Sequence, residues 1–206
     1  MLGYLIQGIG YGFAAAVQPG PFQAYLVSQT LTRGWRRALP VALAPLVSDG
    51  PIVAIVLLVL SQIPLAVQRF LYIAGGLFVL YLARNAFRAW RHFDVAASLT
   101  VQSDRQNMLK AALVNALNPG PYLYWSLVAG PVFLAGWRKA PATGIGFLVG
   151  FYVAIVVTLA GLVLLFGTAR QLGPKVTRAL LGISAVALVG FGLYQLWLGI
   201  SGWIVG

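Results

Sequence analysis

Two interruptions, Gln18-Pro19-Gly20-Pro21 and Asn118-Pro119-Gly120-Pro121, sit a hundred positions apart, each near the middle of an apolar stretch long enough to cross a bilayer. Proline has no amide hydrogen, and its ring strikes the carbonyl four residues back. Two prolines around one glycine therefore free the carbonyls of Ala15 and Val17 in the first stretch, and of Asn115 and Leu117 in the second. Hydrocarbon offers those groups no water, so a helix broken at membrane depth is tolerated only where its backbone meets protein, a cavity or a ligand. In secondary transporters, matched breaks in two halves of a chain point to the binding site.

The rest of the chain agrees with a membrane setting. Of 206 residues, 60% are hydrophobic and 8% charged, against roughly 25% charged residues in soluble domains. Runs of about 20 apolar residues occur at 4–28, 39–61, 68–87, 109–135, 142–166 and 178–203, which predicts an all-α membrane protein of six transmembrane helices, the first and fourth broken at Pro-Gly-Pro. The net charge of +11 does not suggest nucleic acid, because the basic residues lie in the short connections between the runs. Eleven of the fourteen would share one face; Arg69, Arg138 and Lys139 would occupy the other. Short loops rich in Lys and Arg stay cytoplasmic, so both termini are predicted outside. The first run has neither a basic leader nor an Ala-x-Ala cleavage pattern, so it is predicted to be a retained helix rather than a signal peptide.

A polar stretch over residues 91–108 reads as a cytoplasmic linker between a first three-helix unit, residues 1–90, and a second, residues 109–206. The units share further landmarks: Gly34-Trp35-Arg36-Arg37-Ala38 against Gly136-Trp137-Arg138-Lys139-Ala140, and Pro40 against Pro141. With the breaks, these give offsets of 100, 102 and 101, the mark of an internal repeat. Three spans is an odd number, so the second unit enters the membrane from the opposite side and the repeats are predicted to be inverted. Trp35, Trp90, Trp137 and Trp203 fall at span ends, where indole rings anchor. Gly8 with Gly12 and Gly146 with Gly150 have the four-residue spacing of close helix packing, within the chain or in a homodimer.

Helices can restart at Pro21 and Pro121, since proline suits a first helical position. Each break then offers freed carbonyls for an ammonium group or proton, and a helix start whose amides and dipole favour a carboxylate. A zwitterion matches both. The candidate substrate-binding set is Gln18, Pro19, Gly20, Pro21 and Gln23 at the first break, and Asn115, Asn118, Pro119, Gly120, Pro121 and Tyr122 at the second. The amide side chains could equally serve to satisfy the broken backbone. Tyr122, Tyr124 and Trp125 are candidates for a pocket wall or for plain packing.

Asp49 is the acidic residue inside a span, flanked by Pro45, Ser48 and Pro51. Holding an aspartate at bilayer depth costs about 2.5–3.5 kcal/mol on insertion scales, which favours a use for it, either proton coupling or binding a substrate ammonium; the alternative is a protonated acid that only hydrogen-bonds a neighbouring helix. Counted from Pro141, the equivalent position in the second unit is Gly150. Arg84, Arg88 and Arg91 share a helix face suited to orientation and anionic lipid. His92 stands without metal-ligand neighbours, and the chain has no cysteine, so no metal site or cofactor is predicted. No nucleophile with its base and no paired carboxylates occur in the spans, so no enzyme is predicted.

With these residues in view, the chain resembles the LysE-type (LysE/RhtB) amino-acid exporter family. The resemblance rests on the Pro19-Gly20-Pro21 break, the loop from Arg33-Gly34 to Ala38, Asp49 in the second span and Asn118-Pro119 in the fourth. It implies a multi-pass exporter in the bacterial inner membrane that expels amino acids or similar small metabolites, commonly by proton antiport. Where the family usually has a polar residue after the first break, Gly before the aspartate and often Lys after Asn-Pro, this chain has Phe22, Ser48 and Gly120-Pro121. Export of a metal ion, as in relatives of the same superfamily, and a membrane scaffold without transport are the alternatives.

Overall fold

A computed structural model describes residues 1–59, 65–91 and 104–204. They form helices α1 (Leu2–Val17), α2 (Pro21–Arg33), α3 (Trp35–Ala38), α4 (Ala44–Val59), α5 (Leu65–Arg91), α6 (Asp104–Ala116), α7 (Pro119–Tyr124), α8 (Gly130–Lys139), α9 (Pro141–Ala169) and α10 (Pro174–Ile204), with no strand among the described residues. Four stretches, Trp35–Val56, Arg69–Arg91, Pro141–Ala169 and Pro174–Ser201, are each long and apolar enough to cross a membrane. Most of the expected linker, including His92, lies outside the described residues, as does the side chain of Trp203.

Proline and glycine set most of the boundaries. α2, α7, α9 and α10 begin on a proline, whose fixed φ suits the first helical position and whose missing N–H would have no intrahelical partner there. Gly34 ends α2 with φ 83°, and its N–H bonds to the Thr30 carbonyl at 2.9 Å. Gly173 separates α9 from α10 with φ 111°. Both angles lie in the left-handed region that a Cβ disfavours. After α7 the helix widens into a π-turn over Trp125–Ala129 before α8. Pro131 follows, and its ring would strike the carbonyl of Leu127 in a regular helix; the widened turn holds that carbonyl.

The first break falls where the proline pattern predicts. α1 stops at Val17, Gln18 is extended (φ −62°, ψ 120°), and α2 starts at Pro21. The second differs from expectation: its helix restarts at Pro119 rather than Pro121. The cause is local. Asn118 accepts a hydrogen bond from the Gly120 N–H at 3.1 Å and so caps the helix itself, whereas Gln18, one methylene longer, holds the equivalent place in the first break and caps nothing there.

Glycines bring the long helices into contact. α1 lies along α9: a Cβ on Gly8 or Gly12 would overlap the carbonyl oxygen of Phe147 or Phe151, and one on Gly150 would overlap that of Leu5. This is the small-residue mode of membrane helix packing. α5 lies along α10 in the same way, with a Cβ on Gly76 2.9 Å from the Gly192 carbonyl oxygen and one on Gly199 2.6 Å from Ile73 Cγ1. α6 packs on α4. Outside this framework, Ile6, Phe13, Leu77, Val157, Ile183 and Val186 are exposed, an apolar exterior suited to lipid.

Candidate functional site

A cavity of about 340 Å³ lies between the two helix breaks. That is within the range of small-molecule sites. Gln18, Pro19, Gly20, Pro21 and Gln23 line it from the first break; Asn115, Asn118, Gly120 and Pro121 line it from the second, and Asp49 joins them from α4. Two expected members, Pro119 and Tyr122, do not line it. Pro119 is buried at the start of α7, and Tyr122 turns back on the chain. Gln18, Pro19, Gly120 and Tyr194 are exposed, so the cavity is open on their side.

The broken backbone is satisfied by side chains that reach back across each gap. Gln23 Nε2 donates to the Ala16 carbonyl at 3.1 Å, and Tyr122 Oη donates to the Ala116 carbonyl at 3.0 Å. The two carbonyls are a hundred positions apart, the same offset as the prolines. The capped carbonyls are thus those of Ala16 and Ala116, rather than the Ala15, Val17, Asn115 and Leu117 carbonyls expected from proline geometry alone. Those expectations assumed a helix continuing through the break. The Asn115 carbonyl instead accepts from the Asn118 N–H at 3.2 Å, and that of Leu117 faces Gly75 on α5.

The two helix starts differ in what occupies them. At α7 the Asn118 side chain holds the amide of Gly120. At α2 the N-cap is Gly20, and no side chain caps the helix. The positive end of a 13-residue helix is therefore left open beside the cavity.

Asp49 is 4% exposed. Its Oδ1 accepts from Asn115 Nδ2 at 2.6 Å, and the same nitrogen lies 2.8 Å from Ser48 Oγ. The Ser48 hydroxyl donates to the Ala44 carbonyl at 3.1 Å, one turn back on α4. A short hydrogen bond thus ties the carboxyl group of the first half to the broken helix of the second. Among the described residues, no group of three His, Cys, Asp or Glu side chains comes together.

Tyr124 and Trp125, expected as either wall or packing, both line the cavity. Trp125 is also fully buried, edge-on to Phe151 with ring centroids 4.9 Å apart, and Tyr124 donates to the Tyr11 carbonyl at 2.8 Å. Other wall residues were absent from the sequence expectation, among them Tyr72 on α5, Phe151 on α9, and Phe191, Tyr194 and Gln195 on α10. Gln195 carried a usable signal, an uncharged polar residue deep in an apolar run, where such groups need a hydrogen-bond partner. Its Nε2 donates to Asn118 Oδ1 at 3.2 Å. The aromatic residues carried none, since rings in a membrane helix face lipid as readily as a cavity.

The sequence profile of the LysE type translocator family matches residues 13–199. A protein of Bacillus subtilis (strain 168) named "Putative amino acid efflux protein YcgF" is 26% identical over 201 residues, covering 94% of this chain and 93% of that protein. No solved structure matches the chain.

Proposed function

The chain belongs to the LysE type translocator family, and from that premise we propose that it exports amino acids or similar small zwitterionic metabolites across the bacterial inner membrane by proton antiport. It is a multi-pass membrane transporter; the cargo, the coupling and the site are the substance of the proposal. One observation carries it: both helix breaks and the buried carboxylate of Asp49 line a single cavity. A zwitterion has a place for each end there. The open start of α2 suits its carboxylate, and Asp49 suits its ammonium or the exchanged proton. The amino acid efflux role in the name of the Bacillus subtilis relative agrees with this cargo.

In this reading the chain makes six passes as two inverted three-helix repeats, residues 1–90 and 109–206. The equivalent residues Trp35 and Trp137 support the inversion. Trp35 packs on Gly167 and Trp137 on Gly144, toward opposite ends of α9. At 1.5 Å per residue these contacts are about 34 Å apart along the helix, close to the roughly 30 Å of bilayer hydrocarbon. Two equivalent loops would thus face opposite sides of the membrane. The exchange of packing agrees: the first helix of each half lies on the middle helix of the other, α1 on α9 and α6 on α4. The termini would be outside, and alternating access would rock one repeat against the other around the cavity.

The test is radiolabelled counterflow in proteoliposomes with a mixed amino-acid panel, alongside equilibrium binding to detergent-purified protein. At least one amino acid should bind and exchange. A protein that binds none removes the proposal.

A further inference from the structure

We infer that α2 is a gate: it seals one end of the cavity in this structure and opens by parting from α10, while α8 closes the opposite end by settling on α5. This gate rests on the transport reading above and names the parts that move in it.

The two ends of the cavity are built unequally. Trp35, just beyond α2, packs on Gly167 near the end of α9, where Gly173 turns the chain into α10; Trp137, at the end of α8, packs on Gly144 at the opposite end of α9. The wall residues of α10, Phe191, Tyr194, Gln195 and Leu198, all lie in the half of that helix far from the Gly173 turn. Tyr72 lies at the same end, because α5 runs antiparallel to α10 and meets Gly199 through Ile73. The cavity thus extends from the breaks toward the end that holds α8 and stops at α2. α2 is sunk in protein: none of its residues is exposed, and it packs on α5, α6, α9 and α10. The equivalent stretch of the second half is not. Leu127, Val128, Pro131, Ala135 and Trp137 are exposed there, and α8 packs on α9 without a contact on α5 to match that of α2 on α10. In the proposed inversion α10 and α5 are equivalent third helices, and a packing shown by one half is one the other can adopt. Exchanging the two arrangements shuts the open end and opens the shut one. α8 has a hinge for its part, the π-turn over Trp125–Ala129, an irregularity frequent at functional sites.

The sealed end carries the polar groups of a path that water can fill. Among the described residues, the buried polar ones outside the site, Ser28, Thr30, Asn107, Thr177 and Ser184, all lie on α2, on α6 or in the first half of α10. Tyr25, Ser28, Gln29 and Thr32 share one face of α2 by their helical spacing. Tyr25 Oη and Gln29 Oε1 are buried without a hydrogen-bond partner among the described residues. The hydroxyls of Thr30 and Thr32 donate to the Leu26 and Ser28 carbonyls, each at 2.8 Å, and so spend their hydrogens within α2. Polar groups buried without partners are costly. Water entering whenever α2 parts from α10 relieves that cost for part of each cycle, whereas a permanent seal is served better by apolar side chains.

The experiment places single thiols in a chain that has none. Ser28→Cys and Ser184→Cys report on the seam, and Tyr194→Cys on the open mouth. Each variant is reconstituted in proteoliposomes, and its modification by N-ethylmaleimide is timed with and without a mixture of the common amino acids, cysteine omitted, under an imposed proton gradient. The reagent takes the thiolate, which a buried, dry position disfavours. Turnover should speed modification of both seam thiols about threefold or more, since moving a state populated at roughly 10% toward equal occupancy changes its exposure by that order. It should slow modification of Tyr194→Cys. Seam rates that ignore turnover, or seam and mouth rates that change in the same direction, overturn the gate. Counterflow of the same mixture by the unaltered protein keeps the two readings apart: exchange with unresponsive seam thiols leaves transport standing, and no exchange removes both. Ser28 and Ser184 sit on different helices, so where one variant fails to fold the other decides.

Discussion

Asn115 donates to Asp49 Oδ1 at 2.6 Å, joining residues 66 positions apart and in different halves of the chain. The amide nitrogen also lies 2.8 Å from Ser48 Oγ, so its direction is fixed from two sides. Asp49→Asn keeps an oxygen that can accept from Asn115 while removing the charge. The variant should therefore fold, with a thermal midpoint within about 3 °C of the parent, the shift that roughly 1 kcal/mol produces in a chain of this size. Export driven by a proton gradient should fall at least about tenfold, the size of effect expected when a positioned proton-transfer group is lost. Full gradient-driven export by Asp49→Asn proteoliposomes would remove the coupling role.

Asn115→Leu is the complementary change. It deletes the donor and leaves a buried carboxylate acceptor unmet, which should cost about 1–3 kcal/mol of stability. In an Asp49→Asn background the same substitution should cost less, since a neutral amide is cheaper to leave unpaired than a charge. Thermal unfolding of the four proteins in detergent forms a double-mutant cycle. Independent effects would mean that the two side chains do not interact.

The breaks were legible because proline writes its effect locally. Pro19 and Pro21 have no amide to donate, whatever surrounds them, and the gap after Val17 follows. The restart at Pro119 was less legible, since it depends on which side chain precedes the proline and whether it bends back to cap. Asp49 stood out as a charge in an apolar run, but its donor, Asn115, is a tertiary fact. Counted from Pro141, Gly150 takes the place that Asp49 holds after Pro40, and a side chain there would overlap the Leu5 carbonyl, a contact with α1 that local pattern does not reveal. Tyr72 could not be told from the exposed Tyr81 by local pattern, because what separates them is which face the packed bundle turns inward.

The same packing predicts a contrast among glycines of one helix. Gly12→Ala places a methyl group against the backbone of Phe151, which cannot rotate away, and should destabilise by about 1–3 kcal/mol as overpacking does. Gly10 has open space where a Cβ would sit. Gly10→Ala should be neutral or stabilising by about 0.5–1 kcal/mol through helix propensity. Equal thermal midpoints for the two variants would mean that α1 and α9 do not touch as described.

Tyr122→Phe tests the cap at the second break. It removes the hydroxyl that meets the Ala116 carbonyl at 3.0 Å and keeps the ring. Because Tyr122 does not line the cavity, the loss should appear as about 1–3 kcal/mol of stability from an orphaned carbonyl, with half-saturation by cargo close to the parent value. A large change in cargo affinity at unchanged stability would instead place Tyr122 in contact with the ligand.

The proposed inversion makes its own prediction at two exposed arginines. Arg36 and Arg138 follow the equivalent tryptophans Trp35 and Trp137, whose contacts on α9 are 23 residues apart along one helix. A continuous helix of that length carries its ends to opposite bilayer surfaces. The basic residues of the loops favour Arg36 on the cytoplasmic side and Arg138 outside. The chain has no cysteine, so Arg36→Cys and Arg138→Cys each introduce a unique thiol. An impermeant maleimide applied to intact cells should modify Arg138→Cys and spare Arg36→Cys until the membrane is opened. The reverse pattern would keep the inversion and reverse the orientation. Labelling of both from one side would mean that the two Trp-Arg loops share a face, and the paired breaks would then belong to a direct repeat.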